Sequence, residues 1–238
     1  MAKTNSGLVA YAKAQVGKPY WFGTFGQTGS AALYTAKKKQ YPNYYTAKDF
    51  PKQYGKRVHD CAGLIKGYLW SSSATATPVY KASQDFGATG FYTHAKKKGT
   101  IGSFPQVKGM LVFKGKNQTM THVGIYDGAG YVIEAKGHAY GVIKTKLVGG
   151  GWTHWAQCHL VTDDTSKADS KPTATPKPAS GKTYKVRVNT VLNVRAGAGM
   201  KYPVINQLKN GTKVTVYETK NGWGRIGSGQ WCSMSYLK

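Results

Sequence analysis

Apolar residues recur at helical spacing in two stretches of the first half of the chain. In the first stretch they fall at i, i+1, i+4 and i+8, as Leu8, Val9, Ala12 and Val16. In the second they fall at i, i+1, i+4 and i+5, as Leu64, Ile65, Tyr68 and Leu69. Each set covers one face of a helix. The pattern therefore predicts one helix capped by Ser6 and another capped by Asp60 that ends near Trp70.

Beyond Pro105 the apolar pattern changes to short segments of β-branched and aromatic residues. These segments are residues 110–113, 122–126, 131–135 and 142–147, and turns rich in Gly or Asn separate them. Such spacing is typical of an antiparallel meander. Helices followed by strands, without alternation between the two, predict an α+β domain.

Residues 163–183 contain three prolines and no aromatic or large aliphatic side chain. This composition is typical of a semi-rigid spacer. We therefore predict a first domain at residues 1–162, a linker at 163–183 and a second domain at 184–238. The second domain shows five or six short strands joined by Asn-Gly and Gly-rich turns, which predicts a small closed β-barrel.

Positive charge dominates the composition, because 34 Lys and Arg side chains stand against nine Asp and Glu, for a net charge of +25. Residues 1–162 carry 21 basic and five acidic side chains, and residues 182–238 carry ten and one. A balance of this kind implies a polyanionic partner: nucleic acid, anionic lipid or the anionic polymers of a bacterial wall. No recognised nucleic-acid-binding motif is present, which favours the wall over nucleic acid.

Three cysteines at wide spacing form neither a disulfide framework nor a zinc signature, and they indicate folding in a reducing compartment. His154 and Cys158 stand four residues apart, but two ligands alone do not make a metal site. We expect no metal and no other cofactor.

The apolar residues 8–12 are followed at once by Lys13, so we expect no signal peptide. No run of 18 apolar residues would span a membrane.

Cys61 lies in the first turn of the helix that Asp60 is predicted to cap. Free backbone N–H groups and the positive end of the helix dipole favour a thiolate there. This position predicts a lowered pKa for Cys61 and a role as nucleophile. The alternative is a small buried thiol in a core helix, since free cysteine is among the most buried residue types. This stretch alone leaves both interpretations open.

A nucleophilic thiol needs a base, and the base needs a third group to orient it. His122 opens the strand Thr-His-Val-Gly-Ile-Tyr, in which Gly124 is expected to leave room for a substrate. Glu134 lies twelve residues later, on what should be the adjacent antiparallel strand. Hairpin pairing would bring the two side chains together if the register places them on one face. A carboxylate within the apolar run Tyr-Val-Ile-Glu-Ala is costly to bury unless something uses it.

Three sequence blocks resemble those of a known family. They are Asp-Cys-Ala-Gly-Leu-Ile at 60–65, His-Val-Gly-Ile-Tyr at 122–126 and Tyr-Val-Ile-Glu-Ala at 131–135. Together they resemble the blocks of the NlpC-type cell-wall cysteine peptidases, a papain-like group that is also similar to amidase domains with a Cys-His pair. Gly-Lys-Pro-Tyr-Trp at 17–21 is similar to the upstream block of that family. The resemblance implies a papain-like fold for the N-terminal domain.

The resemblance also implies roles for individual residues. The expected catalytic residues are Cys61, His122 and Glu134. The expected oxyanion and substrate contacts are Tyr20, Asp60 and Trp21. The chain departs from the family pattern at Ala62, where Ser is usual, and at Glu134, where His is common. A long gap before Cys61 marks residues 26–58 as an insertion that could line the substrate groove.

The C-terminal strands resemble the bacterial SH3-like wall-binding domains. The blocks that carry this resemblance are Leu-Asn-Val-Arg at 192–195, residues 208–214 and Gly-Trp-Gly-Arg-Ile at 222–226. The aromatic residues expected to contact wall peptide or glycan are Tyr202, Trp223 and Trp231. For both tryptophans, a place in the barrel core is the open alternative.

We expect a monomeric peptidoglycan hydrolase that cuts an amide bond of the wall stem peptide by a thiol mechanism. Its expected partners are peptidoglycan and anionic wall polymers, without specific nucleic acid. The domain combination resembles a phage endolysin, which would stay in the host bacterial cytoplasm until release to the cell wall. Three alternatives stay open: an amidase that cuts between muramic acid and L-alanine, an acyltransferase, and a wall-binding protein in which Cys61 is inert.

Overall fold

The computed structural model describes residues 2–73, 75–164, 181–195, 197–200, 202, 204–227 and 230–238. The chain separates into two compact units, Met1–Ser170 and Lys171–Lys238. Most of the predicted linker at residues 163–183 lies outside the described residues. The spacer and the predicted domain limits therefore stay predictions.

The described part of the first unit contains four α-helices. They are α1 (Asn5–Ala14), α2 (Ala31–Gln40), α3 (Cys61–Trp70) and α4 (Ala88–Thr93). Asp60 caps α3 as predicted, whereas α1 is capped by Thr4 and not by Ser6. The Thr4 hydroxyl accepts the Gly7 N–H, and Ser6 already lies inside the helix. Within the described ranges, no helix is long and apolar enough to cross a membrane.

Eight strands of the first unit form two antiparallel sheets. They are β1 (Phe25–Thr28), β2 (Arg57–His59), β3 (Lys98–Thr100), β4 (Leu111–Lys116), β5 (Thr119–Tyr126), β6 (Tyr131–Ala135), β7 (Val142–Lys146) and β8 (His154–Ala156). Strands β1 and β2 pair with each other, and the other six form a sheet in the order β3-β8-β4-β5-β6-β7. The predicted meander is therefore present as β4–β7, with β8 pairing on the other side of β4.

The two faces of the six-stranded sheet are buried by different partners. The main core joins α1, α3 and α4 to one sheet face and includes Leu8, Leu64, Ile65, Phe91, Ile125 and Ile133. The second face carries a smaller cluster around Val112, Val132 and Trp152. Because neighbouring residues of a strand alternate between faces, residues next to Ile125 and Ile133 belong to this second face.

The second unit contains seven described strands. They are β9 (Lys182–Lys185), β10 (Val191–Arg195), β11 (Val204–Lys209), β12 (Lys213–Val216), β13 (Glu218–Lys220), β14 (Trp223–Gly227) and β15 (Gln230–Ser233). Five form a sheet in the order β11-β10-β15-β14-β13, and β12 pairs with β9. The pattern predicts five or six strands, and the count differs because Tyr217 separates β12 from β13, which pair in different sheets.

The core of the second unit is made of small and aliphatic side chains. Its buried members are Val186, Leu192, Val214, Val216, Cys232 and Leu237. Trp223 and Trp231 are half-buried and belong to no core cluster, because Gly224 and Cys232 take the inward positions beside them. The structure thus places neither tryptophan in the barrel core.

Candidate active site

Asp60 fixes the start of the helix that carries Cys61. Its Oδ1 atom accepts the Gly63 N–H at 2.5 Å, and its Oδ2 atom accepts the Gly23 N–H at 2.8 Å. Burial raises the pKa of this carboxyl, although the charge of Lys66 and the two N–H groups act in the opposite direction. Because both oxygens are occupied by backbone groups, Asp60 joins the loop before β1 to α3. The predicted contact of Asp60 with substrate stays a prediction beside this positioning role.

Cys61 is a partly exposed thiol whose pKa is raised to about 12, first by burial and then by the negative charge of Asp60. Backbone N–H groups of Val123, Ala62 and Cys61 itself act in the lowering direction. The predicted lowering is wrong, because burial outweighs the effect of the helix N-terminus. Val123 follows His122 in the chain, so the sulfur lies beside the segment of β5 that carries His122.

His122 and Glu134 form a hydrogen-bonded pair on the second face of the sheet. Ile125 pairs with Ile133 across β5 and β6, and this register places the two side chains on one face. The His122 Nε2 and Glu134 Oε2 atoms are 2.7 Å apart. Thr145 of β7 donates its hydroxyl to Glu134 Oε1 at 2.6 Å. Both oxygens of this buried carboxylate are therefore partnered.

The environment of Glu134 favours its charged form. Burial raises the pKa of the carboxyl, but the hydrogen bonds from His122 and Thr145, with the charges of His122 and Lys114, outweigh burial and lower it. Glu134 is thus a carboxylate at neutral pH and only accepts hydrogen bonds. His122 consequently donates its Nε2 proton to Glu134, which leaves Nδ1 with the lone pair in the neutral ring.

Two residues that the sequence reasoning missed surround His122. The Trp152 ring stacks on the His122 ring, with centroids 5.7 Å apart and planes at 19°. Lys114 pairs with His122 across β4 and β5, and its Nζ lies 4.9 Å from the centroid of the Trp152 ring. The alternation of β4 could have indicated Lys114, whereas Trp152 comes from a glycine-rich segment without periodicity.

Gly124 makes room for protein side chains. A Cβ atom at this position would lie 2.4 Å from Val132 Cγ1 and 2.9 Å from Trp152 Cη2. The expectation that this glycine leaves room for a substrate is therefore wrong. The space is already filled by side chains that pack beside His122 and Glu134.

Tyr20 is half-buried and packs against the same core as Cys61. Burial raises the pKa of its hydroxyl, and negative charges on Cys61 and Asp60 raise it further. This hydroxyl therefore keeps its proton and can donate a hydrogen bond. Trp21, in contrast, is fully buried, and its Nε1 donates to Gln53 Oε1 at 2.7 Å. The prediction that Trp21 contacts substrate is wrong, because its ring forms the centre of an aromatic cluster.

This aromatic cluster organises the insertion at residues 26–58. Its buried members are Trp21, Tyr45, Phe50 and Val58. Phe22 and Tyr44 stack face to face beside it, with centroids 3.8 Å apart, and Tyr44 is 55% exposed. Asp49 accepts a hydrogen bond from His138 at 2.6 Å, which joins the insertion to the turn between β6 and β7. The insertion is thus fixed to the block at residues 17–21 through Trp21 and to the hairpin of β6 and β7 through His138.

The three aromatic residues predicted to bind the wall have different surroundings. Trp223 lines a cavity of the second unit. Trp231 pairs with Arg225 and Arg195 on the outer side of β15. Tyr202 packs its ring over Gly197, and its backbone carbonyl accepts a hydrogen bond from Arg195.

His154 and Cys158 do not face each other along a helix. His154 lies in β8, where its ring meets Tyr92 edge to face, and Cys158 is fully buried after the strand. In the part of the chain that the structure describes, no group of three His, Cys, Asp or Glu side chains is placed to hold a metal ion.

The fold and site define a papain-like α+β domain with a cysteine at a helix N-terminus and a His–Glu pair on the sheet, followed by an all-β domain. Residues 17–161, more than half of the chain, match the model of the NlpC/P60 family, and residues 190–238 match that of the bacterial SH3 domain. The chain therefore belongs to the NlpC/P60 family. The predicted family and fold class are confirmed.

Matches to individual proteins are local. The chain is 51% identical over 53 residues to "Probable endopeptidase p60" of Listeria seeligeri, a stretch that covers 22% of this chain and 10% of that protein. It is 36% identical over 89 residues to "Putative N-acetylmuramoyl-L-alanine amidase YrvJ" of Bacillus subtilis, which covers 36% of this chain and 17% of the relative. The chain thus matches about a tenth to a sixth of these relatives' length.

Among solved structures, the peptidoglycan hydrolase RipB of Mycobacterium tuberculosis is similar at 19% identity with a TM-score of 0.41. That alignment covers 65% of this chain and 64% of that chain.

Proposed function

We propose that this chain is a peptidoglycan hydrolase that cuts an amide bond of the wall stem peptide through Cys61, His122 and Glu134. The observation that carries the proposal is the 2.7 Å His122–Glu134 hydrogen bond, at a strand whose Val123 N–H acts on the Cys61 sulfur. Names of the partial relatives, an endopeptidase and an amidase, support an amide bond of the wall as substrate.

The mechanism starts from a neutral thiol, because burial raises the pKa of Cys61. His122 Nδ1 takes the thiol proton while the sulfur attacks the amide carbonyl carbon. The imidazolium then gives this proton to the leaving amine, and a thioester on Cys61 results. Water, deprotonated by His122, hydrolyses the thioester and restores the thiol. Glu134 holds the ring and stabilises its charged form.

Two donors would stabilise the oxyanion that forms at the carbonyl. The Cys61 N–H opens α3, where backbone donors and the helix dipole favour negative charge. The protonated Tyr20 hydroxyl, whose pKa responds to the charge of Cys61, would be the second donor. The Glu134 carboxylate and these donors can act together only while the segments that carry them stay packed. Asp60 and Trp152 would maintain this packing, through the hydrogen bonds of Asp60 to Gly23 and Gly63 and the stacking of Trp152 on His122.

A second candidate is cleavage between muramic acid and L-alanine, which the name of the Bacillus subtilis relative favours. The same nucleophile, base and oxyanion donors serve that bond. An acyltransferase would use the same thioester but pass the acyl group to an amine.

The C-terminal unit would bind the wall, and the +25 net charge would draw the protein to anionic wall polymers. We further propose that the protein is a monomeric endolysin, which stays in the cytoplasm of the host bacterium until it is released to the wall. The pairing of a hydrolase domain with a wall-binding domain supports this role.

The test is turbidity loss and mass spectrometry of fragments from purified Gram-positive walls. Wild type should clear the walls and Cys61→Ala should not, while Cys232→Ala, which removes a buried thiol of the second unit, should clear them normally. New amino termini within stem peptides would identify an endopeptidase, and release of intact stem peptides an amidase. Equal clearing by wild type and Cys61→Ala would refute the thiol mechanism.

A further inference from the structure

The second unit holds a cavity of about 450 Å³. It lies against β10, β14 and β15 and is also lined by the segment 187–190 and by Tyr236. This volume falls within the roughly 300–1,000 Å³ that is usual for ligand-binding sites. Of the three aromatic residues that the sequence predicts to bind the wall, Trp223 lines this cavity, whereas Tyr202 and Trp231 do not.

The cavity wall carries positive charge without an acidic partner. Arg187 and Arg195 line it, and none of the described Asp or Glu residues does. Arg195 donates to the carbonyls of Met200 and Tyr202 at 3.0 and 2.8 Å, which occupies part of its guanidinium. Glu218, the one acidic residue after residue 181, is bound to Arg225 at 2.7 Å. The exposed guanidinium of Arg187 has no hydrogen-bond or ion-pair partner among the described residues.

The remaining lining residues suit a peptide better than a polyphosphate. Asn189 and Asn193 offer carboxamides, which both donate to and accept from amide groups. Trp223 and the 49% exposed Tyr236 offer aromatic faces. Among the described residues, no lysine lines the cavity, although lysine is a common point-charge partner of phosphate. A planar guanidinium matches the oxygens of a carboxylate and of a phosphate alike, so the carboxamides and the aromatic faces are the features that favour a peptide.

We propose that this cavity binds the carboxylate end of a short wall peptide, with Arg187 on the carboxylate and Trp223 and Tyr236 against the chain. Asn189 and Asn193 hydrogen-bond the peptide's amide groups. This inference rests on the proposed wall-binding role of the second unit and names its ligand. The site would hold the enzyme near stem peptides, separately from the Cys61 site.

The test is calorimetric titration of the full chain carrying Cys61→Ala, which prevents cleavage. The probes are a synthetic stem-type tetrapeptide that ends in D-alanine, the same peptide with a C-terminal amide, and inorganic phosphate. Arg187→Gln and the amide peptide should each weaken binding about tenfold or more, as expected for a lost charge-assisted hydrogen bond. Combined, they should weaken it little further, because both remove the same contact. Lys213→Gln, an exposed charge outside the cavity lining, is the matched control.

Several outcomes would overturn the proposal. One is equal affinity of the protein for the carboxylate peptide and the amide peptide. Another is peptide affinity that is unchanged in both Arg187→Gln and Trp223→Ala. A third is displacement of the bound peptide by inorganic phosphate at a concentration similar to that of the peptide. Wall clearing by the chain with Cys61 restored and the cavity unaltered separates the two proposals. If this chain clears walls but the Cys61→Ala chain does not bind the carboxylate peptide, only the cavity assignment is refuted. If the peptide is bound but walls are not cleared, only the hydrolase proposal is refuted.

Discussion

Two strand histidines near α3 have opposite environments. His59 ends β2, two residues before Cys61, and is fully buried. Its Nε2 lies 2.9 Å from the Tyr11 hydroxyl, and its Nδ1 has no partner among the described residues. Burial, followed by the charge of Arg57, lowers the pKa of His59 to about 3. His122 keeps 17% of its side chain exposed and is bonded to a carboxylate.

This difference shows that nearness to Cys61 in the chain does not make a histidine a base. His59 is held neutral by burial, and its neutral hydroxyl partner cannot stabilise an imidazolium. His122 has a buried carboxylate that can stabilise one, and part of its ring is accessible. Partner and exposure therefore support the proposed proton transfer by His122 and give His59 a packing role.

The largest expected effect comes from His122→Ala. Loss of the base and acid should reduce turnover by about a thousandfold or more, within the usual contribution of such a group. The melting temperature should fall by about 2–10 °C, since the variant leaves Oε2 of the buried Glu134 carboxylate without its hydrogen bond. Steady-state hydrolysis of a soluble muropeptide and a thermal melt check both. Retention of a tenth of wild-type turnover would remove the basis of the comparison.

Glu134→Gln should have the next largest effect. The amide is nearly isosteric, but it carries no charge to stabilise the imidazolium and can donate to His122, which would favour the wrong tautomer. We expect turnover to fall by about ten- to a thousandfold, while substrate binding changes little. The control is Glu218→Gln, the same change at the chain's other glutamate. Equal turnover in the two variants would contradict an orienting role for Glu134.

His59→Gln should change stability and its pH dependence. At pH 7.5 we expect a loss of about 1–3 kcal/mol, because the Tyr11 contact and the fit of the ring are altered. The unfolded chain binds a proton on His59 below about pH 6.5, whereas the folded chain does so only near pH 3. Wild-type stability should therefore fall with decreasing pH in this window, by at most about 1.4 kcal/mol per pH unit from this group.

Gln does not titrate, so the variant should lack this loss, and the two stability curves should approach each other toward pH 3. Urea unfolding at several pH values measures the difference. Parallel curves between pH 6.5 and 4 would show that His59 is not held neutral in the fold.

Lys114→Met should have the smallest effect. The Lys114 charge lowers the pKa of Glu134, as a smaller influence than burial and the hydrogen bonds. Its removal should raise that pKa and move the acid limb of the activity profile to higher pH. Turnover at neutral pH should stay within about twofold of wild type. Lys116→Met, at the exposed end of the same strand, is the control, and an identical shift in both variants would indicate net charge alone.

Local sequence patterns correctly predicted the positions of several elements and contacts of the candidate site. Asp60 caps α3, and the hairpin of β5 and β6 brings His122 and Glu134 together, because capping and hairpin register depend on residues close in the chain. Predictions that depended on burial were wrong. Trp21 is a core residue instead of a substrate contact, and the pKa of Cys61 is raised instead of lowered.

The amino-acid sequence by itself determined the α+β order, the all-β second unit, the family and the chain positions of Cys61, His122 and Glu134. These features follow from periodicity, turn residues and short motifs, which are local properties. Only the tertiary structure decided that Trp152 stacks on His122, that side chains fill the space beside Gly124 and that His59 is neutral. Each of these depends on which distant segments exclude water from a side chain, and burial of that kind is a property of the packed fold.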